Sequence, residues 1–469
     1  MKTFIPLFFY FISIPILCSA QLKSYVDERM ELTGIVWRLA EAEEYVNDEV
    51  MNYVADIDDY FAPYKSHPLI RYVKEIRERD LVAYNAVSGT IEFLEIKNGQ
   101  IKLSPHADLN CLTEDPRWTK ETFLTYIKLL NRFYKDSRFR AFFNKHKVLY
   151  AETEKRFDNF LYNIHAEWFD NFFGQSLEAP LIYVSLTNGT SNYGGAAPCL
   201  DNILPYGSII IGCSIVDSKG IPIFDEEINY GLLYTIIHEL CHIHTEPIIS
   251  QYQQDMKQAA DIIFPYVKEA LEKVAYGDAP TMISEGLNNL CANMYFRKYP
   301  TGMESYDVLH NEQYGFIWMR RAVKFMDNFN ANRHVYSHIK DFMPQIVSFI
   351  NSCADNIEQI VFEYNHSNPY VINIFPGTNT TVSSDIKEVR VDFSHSMHNA
   401  RGTFPCKDTT AIHPNIGDEF WSEDKKTLII PVKLEQGRKY GFTLPAYVFQ
   451  SEERFPMKKN VEILFQTEE

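Results

Sequence analysis

The sequence predicts an α+β protein in which a mostly helical domain with a small sheet precedes a C-terminal all-β sandwich. Apolar residues recur at helical spacing over three long stretches, residues 28–79, 117–175 and 248–360. Two short apolar runs, 180–187 and 208–215, are typical of strands. From about Asn368 onward, apolar and polar residues alternate between Gly, Asn and Pro turns, which predicts a sandwich of about 100 residues.

The helical half contains one predicted hairpin. Residues 81–103 alternate in polarity around Asn98-Gly99, a pair that is preferred in two-residue hairpin turns. In the helices that follow, Phe123, Ile127 and Leu130 keep the spacing of one buried helix face.

The segment His238-Glu239-Leu240-Cys241-His242 has HExxH spacing. In a helix, its two His residues lie on one face with Cβ atoms about 5–6 Å apart, so both can bind one zinc ion. Glu239 is then well placed to take a proton from a metal-bound water. The predicted helix covers residues 227–245, because Asp225 can cap its start and Pro247 follows its end.

A catalytic zinc site needs a third protein ligand and an open position for water. Glu285 is the main candidate, on a second predicted helix with Pro280 in its first turn, and a helix over 248–275 fits between the two. Asn289, one turn later, is a candidate to orient His238. His244 is a rival ligand, but it points about 200° round the helix from His242.

These residues resemble the gluzincin metallopeptidases, in which HExxH is followed on a later helix by a Glu ligand. SerGluGly at 284–286 is similar to the AsnGluGly of aminopeptidases in that clan. The spacing to Glu285 exceeds that of the thermolysin group, and Asn289 stands where that group has Asp. The resemblance implies a zincin-like domain that binds Zn²⁺ through His238, His242 and Glu285.

Four further blocks resemble a family of uncharacterised secreted bacterial proteins that carry HExxH at the same place in the chain. The resemblance covers roughly residues 30–350 and implies a gluzincin-like domain without a known substrate. The blocks are TGIVWRLAEAEEY (33–45), DDYFAPYKSHPLI (58–70), the stretch 115–150 and GFIWMRRAVKFM (315–326).

The C-terminal strands resemble a bacterial Ig-like domain of surface and exported proteins. VRVDFSHSM (389–397) and FWSEDKKTLIIPVKLEQGRKYGFTLP (420–445) carry the resemblance. It implies a spacer, or a module that binds a protein or a glycan.

The first 20 residues, with Lys2, an apolar run and Cys18-Ser19-Ala20, predict a secretory signal peptide cleaved near Ala20. Export to the periplasm, the cell surface or the medium follows. The apolar run is too short for a transmembrane segment, and no later segment is apolar enough. The net charge of −17 argues against nucleic acid and anionic membranes as partners. Eight Cys residues, seven after cleavage, leave disulfide pairing open.

The loop LTNGTSNYGGAAP (186–198) has two readings: a glycine-rich surface loop, or an edge strand that aligns a peptide substrate. In the second reading, Tyr193 is a candidate to donate a hydrogen bond to the developing oxyanion. His310, Tyr314 and Arg320 compete for that role.

The sequence therefore predicts an exported zinc-dependent peptidase that hydrolyses peptide bonds through a metal-activated water, with Glu239 as the proton carrier. Its predicted parts are a signal peptide (1–20), a zincin-like domain (21–366) and an Ig-like sandwich (367–469). The alternative is a catalytically inert zincin-like interaction protein with an Ig-like tail. No P-loop, GxGxxG, GxSxG or zinc-ribbon spacing supports another chemistry.

Overall fold

A computed structural model describes residues 22–46, 49–113, 115–174, 180–196, 207–225, 231–414 and 417–469. Its mixture of helix and sheet confirms the α+β class. The chain divides into two compact units, Met1–Gln251 with Arg333–Phe342, and Tyr252–Asn332 with Met343–Glu469. The predicted signal peptide lies outside the described residues. The predicted domain boundary near residue 367 lies inside the second unit and stays a prediction.

The predicted helices of the first unit are present, and aromatic side chains hold them together. Phe61, Phe133 and Phe142 are fully buried, and the ring of Phe61 contacts each of the other two. Arg138, in the left-handed region with φ 51°, separates two helices that would otherwise be continuous. The helices are α1 (Glu28–Leu39), α2 (Met51–Phe61), α3 (Pro68–Asp80), α4 (Asn85–Ser88), α5 (Leu109–Leu112), α6 (Lys120–Asp136), α7 (Phe139–Lys145), α8 (Lys147–Leu161) and α9 (Glu167–Phe173).

The strands of the first unit form a hairpin and a four-stranded sheet. They are β1 (Ser24–Tyr25), β2 (Leu94–Lys97), β3 (Gln100–Leu103), β4 (Leu181–Ser185), β5 (Asn192–Ala196) and β6 (Gly207–Gly212). The β2–β3 hairpin turns at Asn98-Gly99, both with positive φ, as predicted. It is shorter than predicted, because residues 85–93 form helical turns instead of a strand.

The sheet has the order β1-β4-β6-β5, and β4 and β6 confirm the two predicted strands. β1, β4 and β6 are parallel, whereas β5 pairs antiparallel with β6 at the edge. Of the two readings of the 186–198 loop, residues 192–196 therefore agree with the edge strand.

The helix that carries the HExxH residues, α10 (Leu232–Glu272), is longer than predicted. It begins at Leu232 and continues through Pro247, and the cap by Asp225 stays a prediction. The expectation that Pro247 ends this helix is wrong. Proline has no N–H, so one backbone hydrogen bond of the helix is lost at Pro247. The carbonyl of Pro247 still accepts hydrogen bonds from Ser250 Oγ (3.0 Å) and Gln251 Nε2 (2.9 Å). Burial of the surrounding apolar residues offsets the lost bond.

The predicted helix around Glu285 is confirmed as α11 (Ala279–Lys298). Asp278 caps it by accepting from Thr281 N at 2.8 Å, and Pro280 occupies its first turn. The later helices are α12 (Glu304–Gln313), α13 (Met319–Ala331), α14 (Ile339–Asp355) and α15 (Ile357–Ser367). Among the described residues, none of the helices is long and apolar enough to cross a bilayer.

The C-terminal tail, residues 368–469, forms two sheets around one apolar cluster drawn from the tail itself, between Val371 and Phe465. The sheets have the orders β10-β11-β9-β7 and β12-β13-β8. The strands are β7 (Val371–Phe375), β8 (Thr380–Val382), β9 (Glu388–Phe393), β10 (Phe420–Trp421), β11 (Thr427–Pro431), β12 (Lys439–Leu444) and β13 (Val461–Thr467). Alternating burial along β9 and β11 explains the alternating sequence that predicted them.

Candidate metal centre

The HExxH residues lie on the buried part of α10. His238, Glu239 and His242 are each less than a tenth exposed. The two imidazoles are nearly perpendicular, and their Nε2 atoms are 3.2 Å apart. Two nitrogens bound to one tetrahedral zinc at about 2.0–2.1 Å lie about 3.3–3.4 Å apart. The separation of the two nitrogens therefore fits a shared zinc ion.

Glu285 joins this pair. One ligand atom from each of His238, His242 and Glu285 lies within 4.8 Å of the others. The set has two nitrogens and one carboxylate oxygen, which is the donor set of catalytic zinc sites that keep a fourth position open. The three predicted ligands are therefore close enough, and of the right chemical kind, to fit a zinc ion.

One polar contact reaches a candidate ligand, and a group of hydrogen-bonded Asn residues begins one helical turn after Glu285. His242 Nδ1 lies 3.6 Å from Glu246 Oε1, one helical turn later. A carboxylate near the outer nitrogen of a ligating His favours the tautomer that turns Nε2 toward the metal. Asn289 accepts a hydrogen bond from Asn311 Nδ2 at 3.3 Å, and Asn311 Oδ1 accepts from Asn293 at 2.7 Å. The orientation of His238 by Asn289 stays a prediction.

His244, the rival ligand, has a different environment. Its ring stacks on Phe173, with centroids 4.5 Å apart, and on Phe169 at 5.5 Å. Burial lowers the pKa of His244 to about 3, so the ring is neutral at ordinary pH. These contacts describe an aromatic core residue.

The edge strand β5 packs directly on the HExxH segment. A Cβ atom on Gly194 would lie 2.3 Å from the carbonyl oxygen of Glu239. Tyr193 is the preceding residue, and burial, with the negative charges of Glu44 and Glu239 adding to it, raises the pKa of Tyr193 to about 12. Its hydroxyl therefore keeps its proton and can donate a hydrogen bond. Its action on an oxyanion stays a prediction.

The competing oxyanion donors have other partners. Arg320 binds the carboxylate of Glu312 through Nε (3.2 Å) and Nη2 (2.8 Å), and donates to the Glu453 carbonyl at 2.7 Å. The rings of His310 and Tyr314 are in contact, with centroids 4.2 Å apart, and burial lowers the pKa of His310. Arg320 is thus committed to an ion pair.

A family model described as a domain of unknown function, DUF4932, matches residues 25–349, which is more than half of the chain. The chain belongs to the DUF4932 family. The DUF4932 region includes all three candidate ligands and ends before the C-terminal tail. No curated protein matches the chain.

Two matching solved structures are a crystal structure of the S-layer protein rSbsC(31-844) and a structure of the surface layer protein SbsC, domains 1-6. Their sequence identities are 12% and 11%, with TM-scores of 0.19 and 0.18. Each match covers 86% of this chain and 46% of the other, so the DUF4932 chain spans under half the length of those chains. Likeness at these TM-scores carries no argument about fold or function.

Sequence reasoning missed three features of the candidate centre in the DUF4932 region. Glu246 could have been found from its spacing, because a carboxylate four residues after His242 shares its helix face. The contact of Gly194 with Glu239 depends on how strand β5 packs on α10. The link from Asn289 to Asn311 joins two different helices. Neither of the last two has a local sequence signal.

Proposed function

We propose that this DUF4932 protein is an exported zinc-dependent peptidase. The observation that carries the proposal is the convergence of ligand atoms from His238, His242 and Glu285 within 4.8 Å of one another. These residues lie on two different helices, yet their ligand atoms meet, and together they have the donor set of a hydrolytic zinc site. The front of the chain is then a zincin-like domain, in agreement with its gluzincin-like motifs.

His238, His242 and Glu285 would hold the ion. Zinc, when bound, supplies a Lewis acid that polarises a carbonyl group and lowers the pKa of water to near 7. Glu239 is not a ligand in this scheme, and its carboxylate accepts the proton of the attacking water and returns it to the leaving amine. The backbone of helix α10 fixes the position of Glu239 relative to His238 and His242, because all three belong to it.

A peptide is the favoured substrate because of strand β5. β5 is the antiparallel edge of its sheet, and Gly194 sets it against the backbone of Glu239. An extended peptide added along such an edge gains main-chain hydrogen bonds and runs past the proton carrier. Tyr193, protonated at ordinary pH, is the proposed donor to the oxyanion.

The tail and the N-terminus complete the proposal. Two sheets around one apolar cluster support an Ig-like sandwich, attached as a spacer or a binding module. The signal-like sequence at residues 1–20 supports export. The peptide or protein substrate is then met outside the cytoplasm.

Elemental analysis of the purified chain tests the metal, with about one zinc per chain expected. His242→Ala should lose the zinc, because one of the two adjacent nitrogens is removed. His244→Phe is the matched control, and should keep it, because His244 packs among aromatic rings. Zinc retained in full by the His242 variant would contradict the proposed site.

Glu239→Gln tests the catalysis. It should keep zinc and the fold but lower turnover of a quenched-fluorescent peptide library by about 10²–10⁴-fold. Undiminished hydrolysis in this variant would remove Glu239 from the mechanism. A chain that binds zinc but cleaves no peptide in the library would favour the alternative, an inert interaction protein with a structural metal site.

A further inference from the structure

The tail has a groove that lies apart from the residues of the candidate metal centre. It has a volume of about 730 Å³ and runs between strand β7, the end of α15 and residues 457–461. Pockets that take ligands typically measure about 300–1,000 Å³. The groove is therefore of a size that a short ligand segment can fill.

One wall of the groove is an exposed edge strand. In the sheet β10-β11-β9-β7, strand β7 pairs with β9 alone among the described strands, so its outer N–H and C=O groups face away from the sheet. Tyr370, just before β7, and Ile372, within it, are each 63% exposed, and Ile372 stands at a bulge. A free edge flanked by exposed apolar side chains is suited to an added strand.

The groove also contains a buried polar atom that lacks a partner. Asn368 is 5% exposed, and its Nδ2 donates to the carbonyl of Pro456 at 2.8 Å. Its Oδ1 is buried and accepts no hydrogen bond from any described residue. A buried acceptor without a partner is costly, and an N–H group of a ligand would satisfy it.

The charge of the groove is opposite to that of the protein. Lys458 and Lys459 line it, and Lys458 donates to Asn365 Oδ1. Among the described residues, neither ammonium group forms an ion pair. The chain as a whole has a net charge of −17. Two uncompensated positive charges on an acidic protein are complementary to carboxylates.

We propose that this groove binds an extended, acidic polypeptide segment, which adds as a strand to β7 and places a carboxylate near Lys458 and Lys459. The backbone of β7 supplies affinity, the two ammonium groups select acidic residues, and Asn368 Oδ1 receives an N–H group. Over the five residues of β7, the added strand extends for about 17 Å. The tail is then a peptide-binding module, whatever the chemistry of the DUF4932 region.

Fluorescence anisotropy with the full chain tests the proposal. The probe is a labelled nine-residue peptide of alternating valine and glutamate, acetylated and amidated. It should bind, and a counterpart with lysine for glutamate should not. Lys458→Glu with Lys459→Glu should weaken binding at least about tenfold. The control, Lys387→Glu with Lys433→Glu, makes the same charge change on exposed tail residues outside the groove and should leave binding unchanged.

N-methylation separates strand addition from simple charge attraction. Successive N–H groups of an extended peptide point to opposite edges, so two probes are made, each methylated on the amides of one edge. Only one edge of the peptide pairs with β7, so one methylated probe should lose binding and the other should keep it. Equal binding of both methylated probes would overturn strand addition. A valine–threonine probe with a free C-terminus shows whether a terminal carboxylate also suffices, and its binding would support the same site.

Other outcomes overturn the proposal. One is binding of the lysine probe as tight as that of the acidic probe, and another is unchanged binding by the Lys458/Lys459 double variant. A third is binding of an oligogalacturonate without binding of the acidic peptide, and this result would indicate a glycan site. If the double Glu variant fails to fold by circular dichroism, Lys458→Gln with Lys459→Gln replaces it and should also weaken binding. Zinc content is measured in parallel and should not change, so failure here is distinct from failure of the proposed peptidase.

Discussion

Gly194 contacts the backbone of Glu239 so closely that a Cβ atom on residue 194 would lie 2.3 Å from the Glu239 carbonyl oxygen and 2.9 Å from its Cα. The contact joins strand β5 to the helix that carries the proposed proton carrier. Backbone atoms cannot rotate out of the way as a flexible side chain can. The absence of a side chain at position 194 therefore fixes the distance between the sheet edge and the HExxH segment.

Gly194→Ala should displace β5 from α10. We expect destabilisation of about 1–3 kcal/mol, as for other overpacked positions, together with a marked loss of peptide hydrolysis. Urea unfolding and a peptide cleavage assay measure the two effects. Gly89→Ala is the control, because a Cβ there meets no atom within 4 Å. A Gly194 variant with parental stability and activity would contradict the packing described.

Tyr193→Phe should lower kcat on peptides while leaving KM and zinc content nearly unchanged. The hydroxyl is the proposed oxyanion donor, and removal of one such donor costs about 10²–10³-fold in kcat. The ring remains, so the fold should be kept. Tyr183→Phe on strand β4 removes a hydroxyl that Arg29 contacts at 3.3 Å, and serves as the control. A kcat equal to that of the parent would assign the oxyanion to another group.

The three candidate ligands could be picked out from the sequence because their signals are local, and their binding of zinc stays a prediction. HExxH spacing fixes the relation of His238 to His242 within one helix, and Glu285 stands in a helix with a clear N-terminus at Asp278 and Pro280. Pro247 misled the prediction, because burial on both sides keeps α10 continuous through a residue that weakens helices. The Gly194 contact arises from tertiary packing, for which the sequence has no periodic signal.

Glu31 is a fully buried carboxyl that the proposed mechanism does not use. Oε1 accepts from Ser185 Oγ (2.8 Å) and Leu186 N (2.9 Å), and Oε2 from Tyr53 OH (2.9 Å). Tyr53 OH also lies 2.7 Å from Tyr150 OH. Burial outweighs these hydrogen bonds and raises the pKa of Glu31 from 4.5 to about 7. The folded protein thus binds this proton more tightly than the unfolded chain.

Protonated Glu31 stabilises the folded protein fully below about pH 4.5. This stabilisation is lost as the pH rises to about 7, and above that pH the contribution of Glu31 to the unfolding free energy no longer changes. A pKa difference of this size corresponds to roughly 3 kcal/mol. Glu31→Gln, which cannot ionise, should remove that part of the decline in unfolding free energy between pH 4.5 and 7. Urea unfolding across this range measures it. Glu95→Gln, at a partly exposed site, should keep the decline, and a Glu31 variant that also keeps it would refute the assignment.

Arg320 joins helix α13 to the tail. Its guanidinium lies 4.5 Å from the centre of the Phe455 ring and donates to the Glu453 carbonyl, while Glu312, almost fully buried, holds its other nitrogens. Nearby, Tyr364 contacts Phe455 and Asn368 binds the Pro456 carbonyl. These contacts involve the loop at 453–456, whereas the apolar cluster of the tail is built from tail residues alone.

Residues 21–366 should therefore fold without the tail, bind zinc and cleave small peptides, but with a lower Tm. Loss of a cation–π contact and a hydrogen bond amounts to about 1–3 kcal/mol, or a few degrees in a chain of this size. Arg320→Met in the full chain should lower the Tm by more than this, because it also removes the ion-pair partner of buried Glu312, and it should leave zinc content unchanged. The tail alone, from Asn368, should show β-type circular dichroism and no bound metal.

If the truncated chain precipitates or loses its zinc while Arg320→Met behaves as the parent does, the tail contributes more than this loop contact. The predicted boundary near residue 367 would then be wrong, and the tail would belong to the catalytic body.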